Sequence, residues 1–128
     1  MTSVIGHLAV DAGDPPALAR WWAQVLGWAV EDDDEQDEVW IEDPEGGTPG
    51  ILFIRVPEAK TVKNRLPPDL RPSDGTDQAT ELRRLLGLGA TTVDIGQGDV
   101  SWHVLADPEG NEFCLLHKPP APVAASEG

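Results

Sequence analysis

Imidazole and thiol side chains are scarce in this sequence, whose 128 residues include only three histidines and one cysteine. Glu112 opens an apolar run, and strand alternation places its carboxylate on the same face as Cys114. A carboxylate that faces a pocket needs a partner, which either His7 or a cationic substrate would supply. Imidazole and carboxylate side chains can both act as general acids or bases. The alternatives are a histidine that only lines the pocket or the core, and a glutamate that caps a strand at the rim.

Cys114 has two interpretations. It lies in the apolar run Phe113-Cys114-Leu115-Leu116, where a cysteine is usually a small buried side chain. A reactive thiol would need an electropositive and partly exposed setting instead. The run favours the buried interpretation, and a single cysteine excludes an intramolecular disulfide.

An internal repeat predicts the elements that position these side chains. Asp43-Pro44-Glu45-Gly46 recurs as Asp107-Pro108-Glu109-Gly110, each time between two apolar runs. Proline presets φ and glycine supplies a positive φ, so each copy predicts the turn of a β-hairpin. Upstream, residues 7–14 align with residues 67–74 at an offset of 60. The chain is therefore predicted to contain two copies of one structural unit.

Periodicity and end signals predict the order β-α-β-β-β in each half. Asp14 suits a helix N-cap, Gly27 suits the position after the last turn, and the apolar residues between them recur at helical spacing. The second helix follows Asp74, ends at Gly87 or Gly89, and has an apolar face of Leu82, Leu85 and Leu86. The predicted helices are residues 15–26 and 76–86, and the predicted strands are 4–11, 28–30, 38–42, 50–56, 69–71, 90–95, 101–106 and 112–117.

Composition limits the partners. The net charge is −14, which repels phosphate backbones and anionic lipid, so neither nucleic acid nor a membrane is expected. No signal-peptide pattern opens the chain, and a cytoplasmic protein is expected. The run from Glu31 to Glu38 has seven acids in eight residues but lacks the ligand spacing of an EF-hand, so it predicts a solvated hairpin tip. Residues 119–128 are predicted to be a disordered tail.

Two tandem βαβββ units resemble the vicinal-oxygen-chelate superfamily of glyoxalase, bleomycin-resistance and dioxygenase proteins. The chain resembles actinobacterial glyoxalase-like proteins in the stretches HLAVDAGDPPALARWWAQVLGW, RVPEAKTVKNRL, DLRPSD and WHVLADPEGNEFCLL. The resemblance implies an α+β fold in which the two modules form a cup-shaped, mostly antiparallel eight-stranded sheet with two helices outside. It implies one domain, residues 1–118, with module one at 1–57, a linker at 58–65 and module two at 66–118.

In the metal enzymes of this superfamily, the first and last strands of each module supply ligands to a divalent ion. The resemblance carries one ligand position to His7 and another to Glu112. The remaining two fall on Pro67 and near Gly50, where no side chain can bind a metal. The other two histidines alternate out of phase with their neighbours and do not replace the missing ligands: His103 and His117. We therefore expect no resident metal or other cofactor.

The other candidate pocket residues are aromatic or basic. Trp40 and Trp102 each precede one of the repeated turns, and Phe53 lies on a strand expected to line the cup. Their rings would stack on a planar or cationic ligand, or else pack in the core. Arg55 opens a band that holds five of the nine basic residues. The band either recognises an anionic group or, as we favour, pairs with acidic surface such as residues 31–38. The Asn64 amide is a candidate to tie the linker to backbone.

Two functions follow from these residues. The first is a binding protein that holds a small organic molecule in the cup without chemistry, which the acidic charge, the tryptophans and the incomplete ligand set favour. The alternative is a lyase, isomerase or dioxygenase that uses His7 and Glu112. Such an enzyme would act without a metal, or with a weakly bound divalent metal whose ligand set the substrate completes. A third hypothesis is a structural or regulatory dimer with a vestigial pocket. A homodimer is expected because closed two-fold assemblies are the commonest.

Overall fold

The structure is a computed structural model that describes residues 1–31, 36–94 and 102–117. Its helices and strands follow the order β-α-β-β-β twice, as the repeat predicts. The chain divides into two compact units, Met1–Lys60 and Thr61–Gly128. In the described part of the chain, no helix has the length and apolarity to cross a membrane. Residues 32–35 of the predicted acidic tip, residues 95–101 and the predicted tail lie outside the described residues.

The first unit is a four-stranded sheet with one helix. Its strands follow the order β1-β4-β3-β2, in which β1 is parallel to β4 and the other neighbours are antiparallel. The prediction for β3 is confirmed at both ends, whereas β1 begins three residues later than predicted. The elements are β1 (His7–Ala12), α1 (Pro15–Leu26), β2 (Ala29–Val30), β3 (Glu38–Glu42) and β4 (Gly50–Arg55).

The first helix begins and ends where its capping residues predict. The Asp14 side chain accepts a hydrogen bond from the Ala17 backbone at 3.2 Å, and Gly27 closes α1 in the left-handed conformation. The Trp21 and Trp22 rings meet edge to face with centroids 5.2 Å apart, and both side chains are buried. The two tryptophans, which belong to the apolar residues at helical spacing between Asp14 and Gly27, therefore pack in the core.

The second unit repeats this plan with shorter strands. Its sheet has the order β5-β8-β7-β6, again with a parallel pair, β5 with β8, beside two antiparallel pairs. The eight predicted strands thus form two four-stranded sheets, one in each unit. The elements are β5 (Asp69–Leu70), α2 (Gln78–Leu88), β6 (Thr91–Thr92), β7 (His103–Ala106) and β8 (Glu112–Leu115).

The second helix differs from its prediction at its start and on one face. Its N-cap is Asp77, whose carboxylate accepts a hydrogen bond from the Thr80 backbone at 2.8 Å, so the helix begins two residues later than the predicted start at residue 76. Gly89 ends the helix. Leu85 is fully buried, but Leu86 is 40% exposed, so the prediction that Leu86 packs in the core is wrong.

Both repeated turns form the predicted hairpins. The Gly46 amide donates to the Asp43 carbonyl at 2.9 Å, and the Gly110 amide donates to the Asp107 carbonyl at 2.9 Å. Both glycines have a positive φ, 72° and 87°, which an L side chain adopts at a cost. The turns join β3 to β4 and β7 to β8, so they fix the register of the two central hairpins.

Candidate functional site

The sheet of the first unit has a buried face and an open face. Val39, Ile41 and Phe53 are buried, and Phe53 is opposite Val39 in the antiparallel register. Trp40 has the opposite parity on β3, so its side chain projects from the other face. The structure therefore places Phe53 in the core, 0% exposed, and not in the pocket predicted for it.

His7 and Trp40 lie together on the open face of this sheet. Their ring centroids are 4.6 Å apart and the rings meet edge to face at 68°. His7 is on β1, which pairs with β4, and β4 in turn pairs with β3, which carries Trp40. Trp40 is half-buried and His7 is exposed. The structure thus brings two of the predicted site residues into contact across three strands.

Gly50 makes this contact possible. It is the residue opposite His7 in the parallel register, on the strand between His7 and Trp40. A Cβ atom at Gly50 would lie 2.9 Å from the Ile41 carbonyl oxygen and 3.7 Å from Cε3 of Trp40. Real Cβ atoms do not approach backbone so closely, and the indole already occupies the space beside this position. The packing of the sheet around Gly50 therefore leaves no room for a side chain at this position.

Glu112, Cys114 and Trp102 share a face of the second unit's sheet. Glu112 and Cys114 are half-buried and alternate along β8 with Phe113 and Leu115, which are fully buried. This confirms the shared face predicted for Glu112 and Cys114. Val104 pairs with Cys114, and continued alternation puts Trp102, which is 38% exposed, on that face as well.

The Glu112 carboxylate is bound to the segment that joins the two units. Its Oε1 accepts a hydrogen bond from the Asn64 backbone amide at 2.9 Å, and Nδ2 of Asn64 donates to the Glu112 carbonyl oxygen at 3.1 Å. The predicted role of the Asn64 amide, tying the linker to backbone, is confirmed. Asp69 pairs with Cys114, so continuing the register by two residues brings Pro67 into line with Glu112.

We expect Glu112→Ala to release the segment around Asn64. The lost hydrogen bond to a charged acceptor is worth about 1.5–3 kcal/mol, so trypsin should cleave after Lys63 at least about tenfold faster. Glu112→Gln keeps an oxygen acceptor at the same place and should stay close to the wild-type rate. The measurement is the initial rate of cleavage at Lys63 under native conditions.

Glu58→Ala is the matched control for this experiment, because Glu58 is an exposed glutamate in the same linker. Its cleavage rate at Lys63 should equal that of the wild type. Equal acceleration by Glu112→Gln and Glu112→Ala would show that the Glu112 side chain does not anchor the segment through its oxygen acceptor.

Cys114 is half-buried rather than fully buried as its apolar run predicts. Burial raises the pKa of the Cys114 thiol, and the neighbouring Asp69 carboxylate raises that pKa further, both by charge and by a hydrogen bond; Lys63 acts weakly in the opposite direction. Since the thiolate is the nucleophile, the thiol is protonated and unreactive near neutral pH.

Cys114 is expected to react with iodoacetamide more slowly than a free cysteine at every pH below its raised pKa. Because Asp69 contributes to that raised pKa, Asp69→Asn should shift the pH–rate profile to lower pH and speed alkylation at pH 8. The measurement is the mass-spectrometric rate of labelling between pH 7 and 10. Asp74→Asn, an exposed change in the same unit, is the control, and an equal shift there would refute the role of Asp69.

The Arg55 side chain is hydrogen-bonded to the end of the acidic run Glu31–Glu38. Its Nε donates to Oδ1 of Asp37 at 2.7 Å, Nη2 to the Gln36 carbonyl at 3.1 Å and Nη1 to the Gly13 carbonyl at 2.7 Å. This is the pairing with acidic surface that the second interpretation of the basic band predicts. The guanidinium fixes the loop before β3, and its donors point at protein rather than at an anionic ligand.

The two units and their sheets define a class of protein. A model of the glyoxalase-like domain matches residues 7–116, so the chain belongs to the glyoxalase-like domain family. Solved structures that include a fosfomycin resistance protein and a possible glyoxalase share the fold. No curated protein sequence matches the chain.

Three solved structures illustrate the shared fold. Oxidase ChaP-H2 is 21% identical, with a TM-score of 0.61 over 93% of this chain and 96% of its own. The fosfomycin resistance protein FosX from Mesorhizobium loti is 14% identical, with a TM-score of 0.66 over 99% and 98%. A FosX variant from Listeria monocytogenes, complexed with Mn(II) and 1S,2S-dihydroxypropylphosphonic acid, is 12% identical, with a TM-score of 0.68 over 94% and 93%.

Proposed function

We propose that this protein binds a small organic molecule on the open face of a sheet, and that it does so without a metal held by the superfamily's four ligand positions. The observation that carries this proposal is that His7 is opposite Gly50, a residue without a donor side chain, in the first unit. In the second unit, continuing the register of β5 with β8 by two residues brings Pro67, which also has no donor, into line with Glu112.

The residues at these four positions do not fit a resident divalent ion. Neither glycine nor proline has a side-chain donor atom, and a side chain at Gly50 would meet the Ile41 carbonyl. One oxygen of Glu112 already accepts the Asn64 amide. Within residues 1–31, 36–94 and 102–117, no three His, Cys, Asp or Glu side chains are grouped to hold a metal. The remaining imidazole and carboxylate are better suited to contact an organic ligand through hydrogen bonds.

The alternative function is a lyase, isomerase or dioxygenase that uses His7 and Glu112. The observation in its favour is that both retained residues keep a side chain able to bind a metal or move a proton, in a fold shared with a FosX variant complexed with Mn(II). In this alternative the substrate would complete a weak two-ligand site.

Metal content and ligand titration separate these functions. The protein is purified without a polyhistidine tag, its metals are measured by mass spectrometry, and a panel of neutral, anionic and cationic aromatic compounds is titrated against tryptophan fluorescence. Saturable quenching with far less than one metal per chain is the expected result. Stoichiometric metal that is lost in His7→Ala would overturn the metal-free proposal, and failure of the whole panel would overturn ligand binding.

A homodimer is proposed as the assembly. The N-terminal part of the chain leaves three large apolar side chains exposed, namely Val4, Ile5 and Leu8. Exposed apolar patches commonly mark protein interfaces. Light scattering after size exclusion tests this proposal. A dimer that dissociates in Ile5→Asp and Leu8→Asp is expected, and a monomeric wild type would contradict it.

A further inference from the structure

We propose that the open face of the first unit's sheet is a site for a small aromatic cation, which stacks on the Trp40 indole beside the carboxylates of Glu38, Glu42 and Asp11. This inference rests on the proposed function and narrows it to one chemical class of ligand. It concerns residues of the first unit alone.

The register of the sheet places these side chains on one face. Trp40 is opposite Leu52, and Leu52 is opposite Ala9. Glu38 and Glu42 lie two residues to either side of Trp40 on β3, at about 7 Å along the strand, and share its parity. Asp11 shares the parity of Ala9 and pairs with Ile54, which pairs with Glu38. The face therefore carries an indole with acidic groups along two of its sides.

The indole is held at one edge and remains accessible elsewhere. It extends over Gly50, with Cε3 3.7 Å from the position a Cβ would take, and its edge-to-face contact with His7 fixes its direction. Trp40 is half-buried, so part of the ring system is exposed. The residues beside it are small or aliphatic, namely Ala9, Leu52 and Ile54, and they give a planar molecule a flat apolar floor.

The charges on this face favour a cation. Asp11, Glu38 and Glu42 are all exposed, and the only Lys or Arg on β1 to β4 is Arg55. Arg55 has the parity of Phe53, so it belongs to the other face, and its guanidinium is bonded to Asp37. A cation over an indole face gains about 0.5–2 kcal/mol, and the carboxylates repel an anion of the same shape.

A groove extends the face past its acidic end. Its volume is about 630 Å³, and it is lined by Glu38 and Ile54 of the open face and by residues of the loops around them, including Gly13, Asp37 and Val56. Arg55 also lines the groove, with its guanidinium bonded to Asp37. Volumes of about 300–1,000 Å³ are usual for small-molecule sites. A ligand stacked on Trp40 can therefore place a polar substituent in this groove.

The test compares three probes of one shape: N-methylquinolinium, the neutral 1-methylnaphthalene and the anionic 1-naphthoate. Binding is followed by tryptophan fluorescence and by the indole NH resonance of Trp40, assigned with Trp40→Phe. We expect N-methylquinolinium to bind about tenfold or more tightly than the neutral probe. Its binding should weaken as salt rises.

Two variants and a control locate the site. Trp40→Leu should abolish the preference for the cation, and Glu38→Gln combined with Glu42→Gln should weaken N-methylquinolinium by about fivefold to tenfold. Glu45→Gln combined with Glu58→Gln removes the same charge from exposed positions off this face and should have little effect. If Trp40→Leu does not fold, the shift of the wild-type Trp40 resonance during titration decides the question.

The outcomes separate this inference from the proposed function. Equal binding of all three probes, or an unmoved Trp40 resonance while a probe binds, would overturn the aromatic-cation site and leave small-molecule binding intact. A second copy of the chain covering the face, seen as protection of Trp40 that increases with protein concentration, would also overturn it. Failure of every compound in the broader panel would overturn the proposed function itself.

Discussion

Replacing Asp107 with alanine is expected to lower the free energy of unfolding by about 3 kcal/mol, since buried donors that lose their acceptor cost about 1–3 kcal/mol each. Asp107 is only 4% exposed. Its Oδ1 accepts the amides of Glu109 and Asn111 at 2.9 and 3.0 Å, and Nδ2 of Asn111 donates to Oδ2 at 3.0 Å. Because these bonds are part-buried, water replaces the lost acceptor less readily than it would in an exposed turn.

The first repeat supplies a matched control for this change. Asp43 accepts the Glu45 amide at 2.9 Å and the Gly47 amide at 3.3 Å, but these bonds are exposed and water can replace them. We expect Asp43→Ala to cost about 1 kcal/mol or less. Urea unfolding followed by circular dichroism measures both variants. Equal losses at the two positions would show that burial does not decide the contribution of this turn.

The sequence predicts the local features of the fold well. Turns and helix ends are set by residues within four positions of one another, so Asp14, Gly27 and the two repeated turns are recognisable from the sequence. The start predicted for α2 is too early because the alignment of residues 7–14 with residues 67–74 is extended to the helix. Three more residues precede the second helix, and the local signal, Asp77 followed by Thr80, is the better guide.

The buried face of α2 is less predictable than that of α1. Leu86 directly follows Leu85, and helical spacing alone does not say how many residues around the helix are buried by the rest of the protein. The short strands of the second unit leave Leu86 at its margin, 40% exposed. In α1, two tryptophans widen the stripe, and the predicted apolar face is buried.

The site residues are predictable only where strand alternation suffices. Alternation correctly places Glu112 with Cys114, because both lie on one strand. The face predicted for Phe53 is wrong because alternation along one strand does not say which face is buried. That becomes clear only from the position of Phe53 opposite Val39 on β3. The contact between His7 and Trp40 depends on the strand order β1-β4-β3, which joins residues far apart in the sequence. The signal in the sequence that could have revealed this contact is Gly50, because a residue without a side chain leaves room for the two aromatic rings beside it.

Gly50→Ala is expected to lower the free energy of unfolding by about 2 kcal/mol, within the usual cost of overpacking. Its Cβ would lie 2.9 Å from the Ile41 carbonyl oxygen, and that oxygen belongs to the backbone of the adjacent strand, so β3 must move. The same shift would displace Trp40 from His7. Gly50→Glu, which places a longer and charged side chain at the same position, should cost more than Gly50→Ala and should not create stoichiometric metal binding.

Gly87→Ala is the matched control, because Gly87 lies within α2 and a Cβ there meets nothing within 4 Å. Alanine in a helix interior is favoured over glycine by about 0.5–1 kcal/mol, so the two substitutions should change stability in opposite directions. Urea unfolding gives the sign of each change, and the indole NH resonance of Trp40 reports the loss of its contact with His7. A stabilised Gly50→Ala would mean that β3 yields without cost. The position of Gly50 would then be open to a side chain, and the packing of the sheet would no longer explain why a glycine lies there.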